Sequence, residues 1–229
     1  MIPIGDDNSQ RRLIPVVTWL LVAVNVFVFL IELAGGDAFV YTWAFTPAYF
    51  SMNPVSFFIT IFTSMFMHAG WAHLGGNMLY LLIFGDNVED RFGHFKFLIF
   101  YLLCGMGATF AQYIMAPYVE VPNLGASGAI AGVLAAYLIL FPGRKVRVLM
   151  AAWVVRLPAI LVIGAWIGLQ LLSGLGTLAN MEDAASGGVA YMAHIGGFAA
   201  GLFLTLFFRK RQRSVYLPPV NPGTGNYGI

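Results

Sequence analysis

Charged side chains are scarce in this chain. Asp, Glu, Lys and Arg make up 10% of its 229 residues, whereas 59% are hydrophobic and the mean hydropathy is +0.80. Soluble domains carry about 25% charged residues, so the composition excludes an ordinary soluble domain and predicts one polytopic domain in a lipid bilayer. The net charge of +2 gives no sign of a nucleic-acid partner, and we expect none.

Cysteine is nearly absent as well. The one cysteine, Cys104, lies in an apolar stretch, which excludes an intrachain disulfide and a cysteine-based zinc site. The metalloprotease motif HExxH is also missing from the sequence. We therefore expect neither a metal nor a cofactor.

Six apolar segments account for most of the chain: residues 13–33, 71–84, 95–115, 127–141, 158–175 and 189–208. A membrane span needs about 20 apolar residues, and the two shortest segments are acceptable as spans if other helices surround them. The predicted fold is all-α, a polytopic bundle of six transmembrane helices. Residues 13–208 would form this membrane domain, 1–12 a cytoplasmic N-terminal segment, and 209–229 a cytoplasmic tail that we expect to be disordered.

The Lys and Arg residues set the orientation. With six spans and both termini cytoplasmic, all twelve lie on the cytoplasmic side, as the positive-inside rule requires. A seventh span within residues 38–70 would move Arg144 and Arg147 outside, so we interpret 38–70 as an outer loop in the membrane interface, broken by Pro47 and Pro54. Because no organellar presequence is visible, we expect an integral protein of the bacterial plasma membrane.

Four polar side chains interrupt the predicted spans near their outer ends. His73 and Asn77 lie one helical turn apart on the second span, Ser127 begins the fourth, and His194 lies in the sixth. Polar groups inside a bilayer are costly and usually functional. The topology follows from Lys and Arg alone, yet it delivers all four to the outer third of the membrane.

These residues are suited to nucleophilic catalysis. Serine becomes a good nucleophile when a base removes its proton, and His194 can do this for Ser127 if their helices approach closely. The fourth and sixth spans contain no Asp or Glu, so we expect a dyad rather than a triad. Two pairs of glycines at i+4 spacing permit the close approach: Gly128 with Gly132, and Gly197 with Gly201.

Four short patterns follow one another along the chain: His68-x4-His73-x3-Asn77, Gly85-x3-Glu89-x3-Gly93, Gly125-x-Ser127-Gly128 and Ala193-His194-x2-Gly197-x3-Gly201. Each pattern alone is a weak signal, but four in this order are highly specific. Together they resemble the rhomboid intramembrane serine proteases, and the match spans nearly all of residues 10–210. The resemblance implies a rhomboid-like bundle and an endopeptidase that cuts other membrane proteins in or near the outer part of a transmembrane segment.

The resemblance also implies roles for single residues. Ser127 would be the nucleophile and His194 the general base, while His73, Asn77 and the Ser127 backbone N–H would form the oxyanion hole. The expected partners are transmembrane protein substrates and the lipid bilayer. His68, Gly125 and Gly128 would lie near the site. Glu89 would be a structural residue at the inner end of the second span.

Two positions depart from the family pattern. Many members carry a Trp-Arg pair in the first outer loop, where this chain has Ile59-Thr60, so the loop must be held in another way. Some members place an aromatic residue four positions after the serine, against the histidine ring, and here that residue is Ala131. The sequence therefore leaves open what orients His194.

Two other functions would also use polar residues within the spans. A transporter or channel would line a pathway with the polar residues, but the polar set is confined to one side of the membrane. A histidine-metal hydrolase would use His68, His73 and His194 as ligands, but no carboxylate lies in the spans near them.

Substrate access is expected to be lateral, between the second and fifth spans. The fifth span, 158–175, carries none of the predicted catalytic residues. We therefore expect that it can move without disturbing the site. The glycine-containing outer loop 176–188 is the expected mobile cap.

Overall fold

The structure, a computed structural model, describes residues 2–179 and 190–208, and all their side chains except those of 177–179. In chain order the helices are α1 (Val16–Trp43), α2 (Pro47–Met52), α3 (Pro54–Phe57), α4 (Thr60–Thr63), α5 (Trp71–Tyr80), α6 (Asp86–Phe92), α7 (His94–Met115), α8 (Ser127–Leu140), α9 (Ala159–Ala179) and α10 (Tyr191–Phe208). A 3-10 turn, Ser64–Phe66, precedes α5, and a π-helical turn, Leu81–Gly85, joins α5 to α6.

Several of these helices are suited to a bilayer. α1, α7, α9 and α10 are each long and apolar enough to cross a membrane. The run from α5 through α6 is bent by 78° from the short helices before it, and this bent pair would count as a fifth span. The all-α, polytopic architecture is confirmed, whereas the count of six spans stays a prediction because α8 has only 14 residues.

α8 lies at the centre of the bundle. Every residue from Gly128 to Tyr137 is buried, and α7 and α10 pack against the helix. A helix that is apolar on all sides is stable only when it is surrounded. This burial explains how so short a helix can be so apolar. Ser127, the first residue of α8, is half-buried at the end of this central helix.

The second predicted span continues to Phe92 rather than ending at residue 84. Glu89 in α6 is fully buried, and its carboxylate accepts hydrogen bonds from the backbone N–H groups of Val17 (2.9 Å) and Thr18 (2.7 Å). The first N–H groups of a helix have no partner within it, and a negative charge there is favourable. Glu89 therefore caps the start of α1, which gives it the structural role that was expected.

The stretch 38–70, predicted as an outer loop, contains the end of α1 and three short helices. α1 runs to Trp43 with a break at Gly36, whose φ of +58° suits glycine. α2 and α3 then begin at Pro47 and Pro54, since proline is well tolerated in the first turn of a helix. The prolines do interrupt a long helix, but they also start two short ones.

A three-stranded antiparallel sheet was not predicted. Its strands are β1 (Ile2–Gly5), β2 (Lys145–Met150) and β3 (Trp153–Pro158), in the order β1-β2-β3. The pairing holds the N-terminal segment against the connection between α8 and α9, so both must lie on the same side of the bundle. β3 leads directly into α9 and so fixes the first residues of that helix.

Two predicted segments lie mostly or wholly outside the described residues. Residues 180–189 include most of the expected outer cap, and residues 209–229 make up the expected tail. Both expectations stay predictions.

Candidate active site

Ser127 and His194 are in direct contact. The Ser127 Oγ lies 2.8 Å from the His194 Nε2, within the range that a nucleophile and its base require. Ser127 is the first residue of α8, His194 lies in the first turn of α10, and the histidine is 8% exposed. The structure thus brings together the two residues that the sequence predicted as nucleophile and base.

Glycine makes this contact possible. A Cβ on Gly197 would lie 2.0 Å from the Gly128 carbonyl oxygen, and one on Gly201 would lie 2.4 Å from the Gly132 carbonyl oxygen. Both distances are far below van der Waals contact, so α8 and α10 touch backbone to backbone as small-residue stripes allow. The predicted role of the glycine pairs is confirmed.

Gln170 on α9 holds the other side of the histidine ring. Its Oε1 lies 2.7 Å from the His194 Nδ1, and the Trp166 ring lies 5.6 Å from the imidazole, centroid to centroid. An amide oxygen accepts, so Nδ1 carries the proton and Nε2 is left free to accept from the Ser127 hydroxyl. Gln170 and Trp166 therefore orient the His194 ring, although Ala131 stands where some family members have an aromatic residue.

The fifth span carries none of the residues predicted to be catalytic, as expected, but it contacts one of them. Trp166 and Gln170 are one helical turn apart, so both face His194 from α9. The sequence contained a signal, a lone amide side chain in an apolar helix. The direction in which the Gln170 side chain points could not be predicted, because the rotation of α9 about its own axis is set by packing.

His73 faces the serine from α5. The Ala69 backbone N–H donates to the His73 Nδ1 (3.4 Å), which places the proton of the neutral ring on Nε2. A Cβ on Gly125 would lie 3.0 Å from that Nε2 and 3.6 Å from the Ser127 Oγ. Gly125 therefore lies between the two side chains, and its φ of +131° is a backbone conformation that suits glycine.

Asn77 contributes a buried amide. Its side-chain nitrogen has no hydrogen-bond partner among the described residues, although Asn77 is only 8% exposed. A buried donor without a protein partner is available to a molecule in the cavity that Asn77 lines. Together with the His73 Nε2–H and the backbone N–H of Ser127 at the start of α8, it provides a third donor on the same cavity.

His68 lies beside the site without joining it. Its ring centroid is 5.2 Å from that of His73, and its backbone N–H donates to Glu32 (2.9 Å). This agrees with a loop residue near the dyad. Among the described residues, the histidines do not form a group of three or more potential metal ligands with each other or with Cys, Asp or Glu.

The four predicted polar residues, His73, Asn77, Ser127 and His194, line one cavity. It has a volume of about 830 Å³ and combines two indole rings with the polar set. The residues that matter here are Trp71, His73, Asn77, Ser127, Trp166 and His194.

Comparison with known proteins agrees with this arrangement. Residues 56–211 match the Rhomboid domain. Over 65% of its own length, the chain is 28% identical to Rhomboid-like protein 11, chloroplastic, of Arabidopsis thaliana. Over 82% of its own length, it is 29% identical to Rhomboid protease GluP of Bacillus subtilis (strain 168). It spans 51% and 34% of those two proteins, but 98% of the protein YdcA of Bacillus subtilis (strain 168), to which it is 27% identical over 92% of its own length. The chain is therefore an integral, multi-pass membrane protein that belongs to the rhomboid family.

Proposed function

We propose that this protein is an intramembrane serine endopeptidase with a Ser127–His194 dyad. The observation that carries the proposal is the 2.8 Å contact between the Ser127 Oγ and the His194 Nε2, in a ring whose Nδ1 is already engaged. This is the protonation state that a general base needs. Family membership supports the same reaction class.

The chemistry follows from these atoms. His194 Nε2 takes the proton of the Ser127 hydroxyl as Oγ attacks the carbonyl carbon of the scissile peptide. The C–N bond then breaks, and His194 returns the proton to the leaving amine, which leaves an acyl ester on Ser127. Water, deprotonated by the same Nε2, hydrolyses the ester and restores the hydroxyl.

The oxyanion would be stabilised by three donors. The His73 Nε2–H and the Asn77 amide line the cavity with Ser127, and the Ser127 backbone N–H lies at the start of α8, where the helix dipole favours negative charge. Donors fixed before the reaction stabilise the transition state more than the substrate, because they need no reorganisation.

We assign the substrate class as transmembrane segments cut in or near their outer part. The Lys and Arg pattern puts the first turns of α5, α8 and α10 toward the outside, and the cavity lies at that end. The pairing of β1 with β2 supports the topology, because it keeps residues 2–5 and 145–158 on one side. Access is lateral, between α5 and α9.

Covalent labelling tests the nucleophile. A fluorophosphonate reagent should modify Ser127 in the purified protein, located by mass spectrometry, and should fail on His194→Ala. A chelator should leave the labelling rate unchanged. Labelling of another residue, or proteolysis that survives Ser127→Ala and is abolished by a chelator, would overturn the serine mechanism in favour of a histidine-metal hydrolase.

Asn77→Ala should slow proteolysis by roughly 10²–10³-fold, because one of three oxyanion donors is lost while the dyad remains. The rate of substrate cleavage at saturating substrate would be measured. Asn53→Ala, which removes only the cap of the short helix α3, is the matched control and should have little effect. Equal rates for Asn77→Ala and the wild type would remove Asn77 from the oxyanion hole.

Membrane orientation has its own test. A cysteine in place of Glu120 should react with an impermeant maleimide added outside intact cells, and one in place of Lys145 should react only after the cells are opened. Both positions are exposed, and the native Cys104 is buried, so the background is low. Outside labelling at position 145 would refute the orientation and the outer location of the cut.

A further inference from the structure

We propose that Gln170 is a positioning residue for His194, and that α9 must be packed against the dyad for Ser127 to react. This inference rests on the proposed serine mechanism. Gln170 reaches the histidine with its Oε1 2.7 Å from Nδ1, on the ring edge opposite Ser127. It is therefore the only described side chain with a hydrogen bond to that nitrogen.

The hydrogen bond selects one tautomer. A neutral imidazole carries one proton, and the acceptor at Nδ1 holds it there, so the lone pair faces the serine. Without that acceptor, the proton can move to Nε2. The ring then donates toward Ser127 and cannot take its proton, and the buried, 8% exposed histidine has little water to restore the balance.

Trp166 adds a steric contact from the same helix. Its ring lies 5.6 Å from the imidazole at an interplanar angle of 43°. It lies one turn before Gln170, so the two side chains fix the ring position and the ring protonation together. Both contacts depend on where α9 stands, and neither α8 nor α10 supplies a substitute at Nδ1.

α9 is the helix best placed to move. Among the four long apolar helices it has the smallest buried share, 22%, and Leu169, Leu172 and Leu175 are exposed on the face away from the dyad. Its inner end is fixed because β3 runs directly into it. A swing about that end would withdraw Gln170 from His194, so the site is competent only when α9 has returned.

The coupling has a functional consequence. While α9 is displaced to admit a transmembrane segment, His194 loses the acceptor that keeps it a base. Hydrolysis then waits until the segment is inside and α9 has closed. Substrate admission and chemistry are thereby separated in time.

The first test replaces Gln170 by two side chains of similar length. Gln170→Met removes the acceptor, and Gln170→Glu keeps an oxygen at the same position. We expect labelling of Ser127 by a small fluorophosphonate to slow about tenfold or more in Gln170→Met, as for one lost buried hydrogen bond, and to recover in Gln170→Glu. ¹⁵N NMR of labelled histidine should show the Nδ1–H tautomer of His194 in the wild type and its loss in Gln170→Met.

The outcomes separate the two proposals. If wild-type Ser127 does not react with the reagent, the serine mechanism fails. If the wild type reacts and Gln170→Met reacts equally fast with an unchanged histidine spectrum, the serine mechanism stands and the role of Gln170 is refuted. A reduced rate in both Gln170→Met and Gln170→Glu, with no tautomer change, would also refute it and indicate packing alone.

The second test locks α9 in place. A Cβ on Gly174 would lie 3.4 Å from the Tyr191 Cβ, close to the spacing of a disulfide, so Gly174→Cys with Tyr191→Cys should crosslink α9 to α10. The oxidised protein should react normally with the small reagent and should fail to cleave a membrane-embedded substrate until it is reduced. If the oxidised protein cleaved the substrate as fast as the reduced protein does, the proposed coupling between α9 movement and substrate admission would be overturned.

Discussion

Replacing Ser127 by Ala should lower the rate of peptide hydrolysis by roughly 10⁴–10⁶-fold, and His194→Ala should do nearly the same. The two residues act as one unit, because the serine hydroxyl is a weak nucleophile without the base, and without the serine the base has no nucleophilic hydroxyl to activate for the first step. The double variant Ser127→Ala/His194→Ala should therefore be no slower than either single variant by more than a few-fold. Cleavage of a reconstituted transmembrane substrate gives the three rates.

Ser56→Ala is the matched control for this series. Ser56 is exposed on α3, and its replacement should leave the rate within about twofold of the wild type, as is usual for surface substitutions. If the effects of Ser127→Ala and His194→Ala were instead additive on a logarithmic scale, the two residues would act in separate steps. The 2.8 Å contact between them would then have no mechanistic meaning.

The second large effect is expected from Gly197→Ala. The added methyl would lie 2.0 Å from the Gly128 carbonyl oxygen, and backbone cannot rotate away as a side chain can. α10 must move away from α8, which separates His194 from Ser127 and opens the packed interior. We expect loss of proteolysis and a fall in unfolding free energy of about 1–3 kcal/mol or more.

The sign of this effect distinguishes packing from helix propensity. Alanine is favoured over glycine within a helix by about 1 kcal/mol, so Gly168→Ala on α9, where a Cβ meets nothing within 4 Å, should keep or raise the stability. Thermal unfolding and the rate of Ser127 labelling would be compared for the two variants. A Gly197→Ala protein as stable and as reactive as Gly168→Ala would contradict the backbone contact between α8 and α10.

The main elements of the site could be predicted because they are local and periodic. The i+4 spacing of His73 and Asn77 fixes a shared helix face, and hydropathy fixed the start of α8 at Ser127. The Lys and Arg pattern predicted the direction of each helix. Those three facts are enough to bring four polar groups to one depth.

Gln170 could not be assigned for a different reason. Its role depends on the rotation and position of α9, which follow from packing against α8, α10 and β3. A polar side chain in an apolar helix can also face water or a neighbour, and nothing local separates these cases. The site was therefore predicted as a dyad, and the third group became visible only in the fold.

The inner side of the bundle was misread because its contacts are distant in sequence. Glu89 caps the start of α1, more than seventy residues earlier, by accepting from Val17 and Thr18, so no local pattern showed that the second span continues to Phe92. The alternation of Lys145 and Arg147 with the buried Val146 and Val148 is a strand pattern. It was hidden by interpreting every basic residue as part of an inner connection.

One measurement tests the central claim most directly. The purified protein and its Ser127→Ala variant would each be reconstituted in liposomes with a transmembrane substrate, and the products identified by mass spectrometry. The account predicts two complementary fragments that meet at a peptide bond in or near the outer part of the substrate's transmembrane segment, and no fragments with Ser127→Ala. The same fragments from Ser127→Ala, or a cut far from the membrane-embedded segment, would contradict it.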